Sequence, residues 1–209
     1  MMQLKALLPT TSKVLEDLSQ YNWLADFTLV GGSGLSLHIA HRLSEDLDFF
    51  TWEKTLKKEE IFASLALFEK YQLLSVSDTQ IDCLLDNVKV TFFANNWEIL
   101  KERENLMQNV FVAKTTLLTS MKINTLFLRA KYRDYYDLYC INKDLFNIKE
   151  MFDFAEENIK GITKKLFYMA IIFTDDILED EINYLKPKYK ISKTQIAKHF
   201  EKELKRYKF

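Results

Sequence analysis

The segment LVGGSGLSLHIAHRLSEDLDFF, Leu29 to Phe50, constrains this chain more than any other. It gathers three of the four glycines and then sets two acids one leucine apart. FTLVG reads as a short buried strand stopped by the double glycine. The run from Ser33 to Arg42 has helical spacing, and DLDFF alternates polar and apolar residues as a half-buried strand does. A strand that ends in Gly-Gly-Ser and turns into a helix brings backbone N–H groups and a hydroxyl to the positive end of that helix, which suits phosphate. Asp46 and Asp48, two apart on a strand, point to one face. Carboxylates so placed repel unless a cation lies between them, and oxygen donors favour a hard ion such as Mg²⁺. Phosphate held by glycines beside a carboxylate-bound metal is the equipment of phosphoryl transfer. Taken singly, GGSG is an ordinary turn and Asp-x-Asp a solvated strand end. Their combination, in strand, helix, strand order, carries the functional reading.

The rest of the chain divides by periodicity. Ahead of the motif, Leu4 to Ser19 reads as a helix that Pro9 kinks or delays. After it, KKEEIFASLALFEKY is an amphipathic helix. QLLSVSD, QIDCLLD and VKVTFF are three strands, the last two joined by the tight-turn pair Asp86-Asn87, and NVFVA is another. Helical periods then take over: Thr115 to Ala130, Arg133 to Asn142, Ile148 to Asn158, Thr163 to Phe173, and a final helix from Ser192. The expectation is an α+β fold: a mixed sheet flanked by helices over residues 1–112, then a helical half over 113–209.

With several motifs in order, a resemblance emerges. Gly32-Ser33, a helix and Asp46-x-Asp48 resemble the signature of the nucleotidyltransferase superfamily. The longer string GGSGLSLHIAHRLSEDLDFF is similar to the AbiEii/AbiGii type, the toxin nucleotidyltransferases of bacterial abortive-infection and toxin–antitoxin systems. VKVTFF resembles that family's third strand. VAKTTLLTSMKINTLFLRAKYRDYYDLYCI resembles its downstream lysine and R-x-K-x-R-D-x-x-D-L-Y segments, so that the match spans Leu29 to Ile141. The resemblance implies transfer of a nucleoside monophosphate from an NTP to an acceptor hydroxyl, the acceptor being RNA or a tRNA end, with an antitoxin as partner. It implies that Gly32 and Ser33 hold nucleotide phosphates, that Asp46 and Asp48 bind Mg²⁺, and that in the helical half Lys122 contacts the phosphates and Asp137 orients Lys122 or the nucleotide. Read without the family, Lys122 in an apolar helix snorkels to water. Asp134 and Asp137, at i, i+3, share a helix face and would pair with Arg129, Lys131 and Arg133.

One position departs from the pattern. Relatives with this architecture carry a third carboxylate where this chain has Thr91, and a threonine hydroxyl is neither an anionic ligand nor a base near neutral pH. Three explanations stand side by side: two acids suffice, the enzyme is impaired or has become a nucleotide binder that engages a partner protein, or a neighbour supplies the missing group. A turn centred on Asp86-Asn87 pairs Leu85 with Val88 and sets Asp82 opposite Thr91, about 5 Å away between Cβ atoms. Asp82 is therefore a candidate metal ligand. A kinase-like transfer of the γ-phosphate at the same site is a further alternative.

Other features read as structural. A net charge of -1 excludes a wholly basic nucleic-acid binder, and 48% apolar with 14% aromatic residues supports a buried core. Cys83 and Cys140 read as reduced core residues, and His38, His41 and His199 lack zinc-ligand spacing. His41-Arg42, beside the motif, either contacts substrate or packs. The acidic run FTDDILEDE reads as a solvated helix face or a partner for basic residues. Lys186 to Phe209 holds nine Lys/Arg against two acids, a basic amphipathic segment suited to RNA, an acidic partner or water. No signal peptide and no membrane-length apolar run is visible, so the expected location is the cytoplasm.

Overall fold

The computed structural model describes residues 2–178 and 182–208 and divides into two compact units, Met1–Lys114 and Thr115–Phe209. The first unit is built on a seven-stranded mixed sheet. In chain order its strands are β1 (Thr28–Val30), β2 (Leu47–Thr51), β3 (Tyr71–Val76), β4 (Gln80–Leu85), β5 (Val88–Ala94), β6 (Arg103–Met107) and β7 (Val110–Ala113). They lie side by side as β3-β4-β5-β2-β1-β7-β6. β2 runs parallel to β5 and β1 parallel to β7, while the remaining neighbours are antiparallel. Three helices join the sheet: α1 (Pro9–Leu18), α2 (Gly31–Ile39) and α3 (Lys58–Leu65).

Pleating sorts the strand residues. Leu47 and Phe49 of β2, Val90 and Phe92 of β5, and Ile81 and Cys83 of β4 share a core cluster with Val14, Leu15 and Leu18 of α1 and Ile61 and Leu65 of α3. Phe92 stacks on Phe49 and meets Trp23 and Phe27 edge-on. Full burial of each such ring contributes on the order of 1.5–3 kcal/mol. Cys83 lies in this core, where burial pushes its thiol up to about 12, so it stays protonated and inert. The alternate residues Asp48, Thr91 and Asp82 fall on the other face. The sheet thus keeps one apolar side and one side able to carry chemistry.

The helical expectations hold with shifted ends. Pro9 delays the first helix and occupies its first turn, where the missing N–H has no cost. The helix expected over residues 57–71 stops at Leu65, because Lys70 and Asp86 exchange hydrogen bonds that draw the chain into the β3–β4 pairing. β6 was not foreseen. RENLM is an exposed edge strand without apolar alternation, held by backbone pairing to β7.

The second unit is helical: α4 (Thr115–Leu128), α5 (Tyr132–Asp144), α6 (Ile148–Asn158), α7 (Lys164–Ile172) and α8 (Lys193–Arg206). Side chains fix several starts. Asn147 with Glu150, and Ser192 with Gln195, form capping boxes, and Thr163 caps α7. The core combines Leu118 and Ile123, Tyr135 and Tyr136, Met151 and Phe152, Phe167, and Phe200. The Tyr135 hydroxyl donates its one proton at the end of α7, where the Phe173 carbonyl lies 2.6 Å away and that of Ala170 2.9 Å. The acidic run does not form the expected helix face over its described part: after α7, residues 173–178 make a turn whose carbonyls at Asp175 and Ile177 accept from Lys193. Glu179, Asp180 and Glu181 lie outside the described residues. Among those described, no helix is long and apolar enough to cross a membrane.

Candidate active site

In the first unit, chain geometry brings the double glycine and the acid pair together. β1 and β2 are antiparallel with Val30 opposite Asp48, so the residue after Val30 meets the Asp48 side chain. That residue is Gly31, with φ of +68°, and a Cβ built on it would lie 2.4 Å from Asp48 Oδ2. Only glycine satisfies both the left-handed backbone and the close carboxylate. Gly31 also opens α2, whose N-terminus carries no side-chain cap. First-turn N–H groups thus stand beside Asp48 at the positive end of the helix.

Gly31→Ala is expected to cost about 1–2 kcal/mol in backbone strain alone and, by pushing the Asp48 carboxylate aside, to weaken divalent-ion binding as well. Chemical denaturation and Mn²⁺ titration measure the two effects. An alanine variant with both properties unchanged would show that neither constraint operates.

Ser33 is buried, and its hydroxyl donates to the backbone carbonyl of Asp46, tying the first turn of α2 to the segment that leads into β2. Its one proton is thereby committed. Phosphate oxygens, being acceptors, are left to the backbone N–H groups. Gly32 has a similar reason to be small, since a Cβ there would lie 2.6 Å from Arg42 Nη2. Arg42 is 4% exposed and donates through Nη1 to the Leu43 carbonyl. Ala40 takes a left-handed conformation at the end of α2 and reverses the chain, returning Arg42 to the start of the same helix. The sequence left Arg42 between packing and substrate contact. Its approach to Gly32 puts a guanidinium at the helix's anion-attracting end.

Beyond Asp48 the polar row continues. Thr91 of β5 faces Asp48 in the parallel ladder, and Asp82 of β4 faces Thr91 in the antiparallel one, in the register that the Asp86-Asn87 turn predicts. Thr91 Oγ1 donates to Asp82 Oδ1 at 2.7 Å. Asp82 Oδ2 accepts from Ser75 Oγ and Gln80 Nε2, both at 2.7 Å. Partial burial pushes the Asp82 carboxyl up, but these three donors and nearby Lys89 outweigh it and hold its pKa below the ordinary range. Among the described residues, no three His, Cys, Asp or Glu side chains come together so as to hold a metal ion. Asp82 therefore reaches the row through Thr91, without closing a three-carboxylate group.

The second unit holds its own charged cluster. Lys122, 6% exposed, lies 2.7 Å from Asp137 Oδ2 and 3.1 Å from Asp134 Oδ1, and both acids are fully buried. It does not snorkel to water. Arg129 Nη2 lies 3.4 Å from Asp134, whose other oxygen accepts from the Lys131 N–H at the start of α5. The i, i+3 spacing puts both acids on Lys122, with Arg129 at the margin.

Oxygen-only donors at Asp46 and Asp48, beside an uncapped glycine-rich helix start on a mixed sheet, fit a divalent cation and a phosphate. The mixed sheet and its flanking helices define the class: a nucleotidyltransferase-like α+β fold. A crystal structure described as that of a "putative nucleotidyltransferase" from H. pylori shares the fold, with a TM-score of 0.53 and 17% identity over 96% of this chain and 98% of its own. A family model, the nucleotidyl transferase AbiEii toxin of a type IV toxin–antitoxin system, matches residues 13–207. The chain belongs to that family and is a nucleotidyltransferase. An uncharacterized protein of Aquifex aeolicus is 25% identical over 198 residues, which make up 93% of this chain and 94% of the relative.

Proposed function

We propose that this nucleotidyltransferase moves a nucleoside monophosphate from an NTP to a hydroxyl of RNA, a tRNA end being the favoured acceptor, with Mg²⁺ held by Asp46 and Asp48. The observation that carries this reading is the Asp48 carboxylate lying against Gly31 at the uncapped start of α2, where a metal ligand and a phosphate cradle meet. First-turn N–H groups from Gly32 onward receive the phosphate oxygens, and Arg42 offsets their charge. Ser33 serves by anchoring Asp46. When bound, Mg²⁺ supplies Lewis-acid polarisation of the α-phosphate and lowers the pKa of the attacking hydroxyl. The acceptor oxygen bonds to the α-phosphorus, the bond from the α-phosphorus to the oxygen bridging to the β-phosphate breaks, the hydroxyl proton passes to solvent water, and pyrophosphate leaves. Lys122, gripped by Asp137 and Asp134, is the buried cationic centre of the second unit. The family's place in a toxin–antitoxin system supports a cognate antitoxin as partner, and an NTP substrate supports a cytoplasmic location.

The test is parallel incubation of protein, Mg²⁺ and total cellular RNA with α-labelled and γ-labelled NTPs. Label from the α position alone should enter RNA. Incorporation from the γ position alone would instead mark a kinase-like phosphotransferase. Nucleotide binding by calorimetry without either transfer would mark an impaired enzyme acting as a binder.

A further inference from the structure

The threonine in place of a third carboxylate is not an isolated hydroxyl. Val30, Asp48, Thr91, Asp82 and Ser75 stand opposite one another in sequence across five adjacent strands, β1, β2, β5, β4 and β3. A hydroxyl has one proton, and Thr91 gives it to Asp82, on the side away from β2. Its lone pairs then remain for a cation held beside Asp48, since an ionised carboxylate has no proton to give them. A hydrogen bond to an ionised partner is short and strong, and it draws electron density onto the donor oxygen. Asp82 is itself fixed by Ser75 and Gln80, and Ser75 sits on β3, farther still from Asp48. Strands lie about 4.8 Å apart, so Asp82 stands roughly 10 Å from Asp48 across the sheet and Thr91 only half that. For a cation whose ligands sit at about 2.1 Å, Thr91 is the nearer source of oxygen.

We propose that Thr91 and Asp82 act as one unit in place of the missing carboxylate. Thr91 Oγ1 is the third protein oxygen turned toward the divalent cation, and Asp82 is the positioning residue that orients and polarises it. This rests on the reading that Asp46 and Asp48 bind the metal. It differs from direct ligation by Asp82, because the carboxylate acts through the hydroxyl and both are needed.

The test uses the full chain and Mn²⁺ alone, with free ion counted by its electron paramagnetic resonance signal. Thr91→Val and Asp82→Asn should each weaken Mn²⁺ binding about 10-fold or more, as loss of a supporting partner does, while Thr91→Ser keeps it. The double variant should bind no worse than either single one. Thr91→Asp in the Asp82→Asn background should restore affinity, because the carboxylate then stands at position 91 itself. Wild-type affinity in Thr91→Val, where Asp46→Ala has lost the ion, would overturn the proposal and leave the metal reading intact. Mn²⁺ uptake that survives Asp46→Ala, or none by the wild type, would remove that reading and this inference together. Should Thr91→Val fail to fold, Asp82→Asn and its rescue by Thr91→Asp decide the matter.

Discussion

Asp46→Ala is expected to reduce transfer of α-label from NTP to RNA by about 10²–10³-fold, the scale on which loss of a preorganised electrostatic group falls. The substitution suits the question because Asp46 has a backbone carbonyl and a proposed metal-binding carboxylate that are separable. Its backbone carbonyl accepts the Ser33 hydroxyl and so ties α2 to the start of β2. That carbonyl survives in alanine, and only the carboxylate is lost. Asp48→Asn is the companion: it keeps the side-chain volume packed against Gly31 and removes the charge. Both variants should keep the wild-type circular dichroism spectrum, so that lost transfer reflects the site and not the fold. Transfer within tenfold of wild type by folded Asp46→Ala would remove Asp46 from the proposed metal site.

What could be read in advance followed from periods and turns. DLDFF, QIDCLL and VKVTFF alternate because one side of each strand enters the Phe49–Phe92 core and the other does not. The Asp82–Thr91 register was legible because a two-residue turn with positive φ at both Asp86 and Asn87 leaves one way to pair the flanking strands. β6 was not legible, since an exposed edge strand is held by backbone hydrogen bonds that write nothing into its side chains. Strand order was equally hidden. The parallel contacts of β2 with β5 and of β1 with β7 join distant segments, and no local pattern encodes them. At the site, the acids and glycines were visible as types, but the reason for Gly31 was not. It needs both the left-handed backbone and the antiparallel register that carries Asp48 over it. Arg42 was equivocal because its approach to Gly32 depends on the left-handed turn at Ala40. The spacing of Asp134 and Asp137 announced a shared face, but only packing shows that the face is buried and closed on Lys122.

Lys122→Met is expected to be the most destabilising of these substitutions, by about 3–5 kcal/mol, the usual cost of removing one partner from a buried ion pair. Methionine keeps the length and the apolar contacts of the lysine stem, so the loss isolates the ammonium. Without it, two fully buried carboxylates lose the ammonium that lies 2.7 Å from Asp137 and 3.1 Å from Asp134, while Arg129, 55% exposed, stays 3.4 Å from Asp134. Asp137→Asn should cost less, because Lys122 then retains Asp134 and the cluster loses a negative charge while keeping a hydrogen-bond acceptor. The order Lys122→Met worse than Asp137→Asn thus follows from charge balance, whereas a purely steric role would predict little effect from either. In a chain of this size, about 3–5 kcal/mol lowers the melting temperature by roughly 6–20 °C. Hydrogen exchange should localise the loss to α4 and α5, which carry the lysine and the two acids. If Lys122→Met melts with the wild type and the amides of α4 and α5 keep their protection, the lysine does not neutralise this cluster.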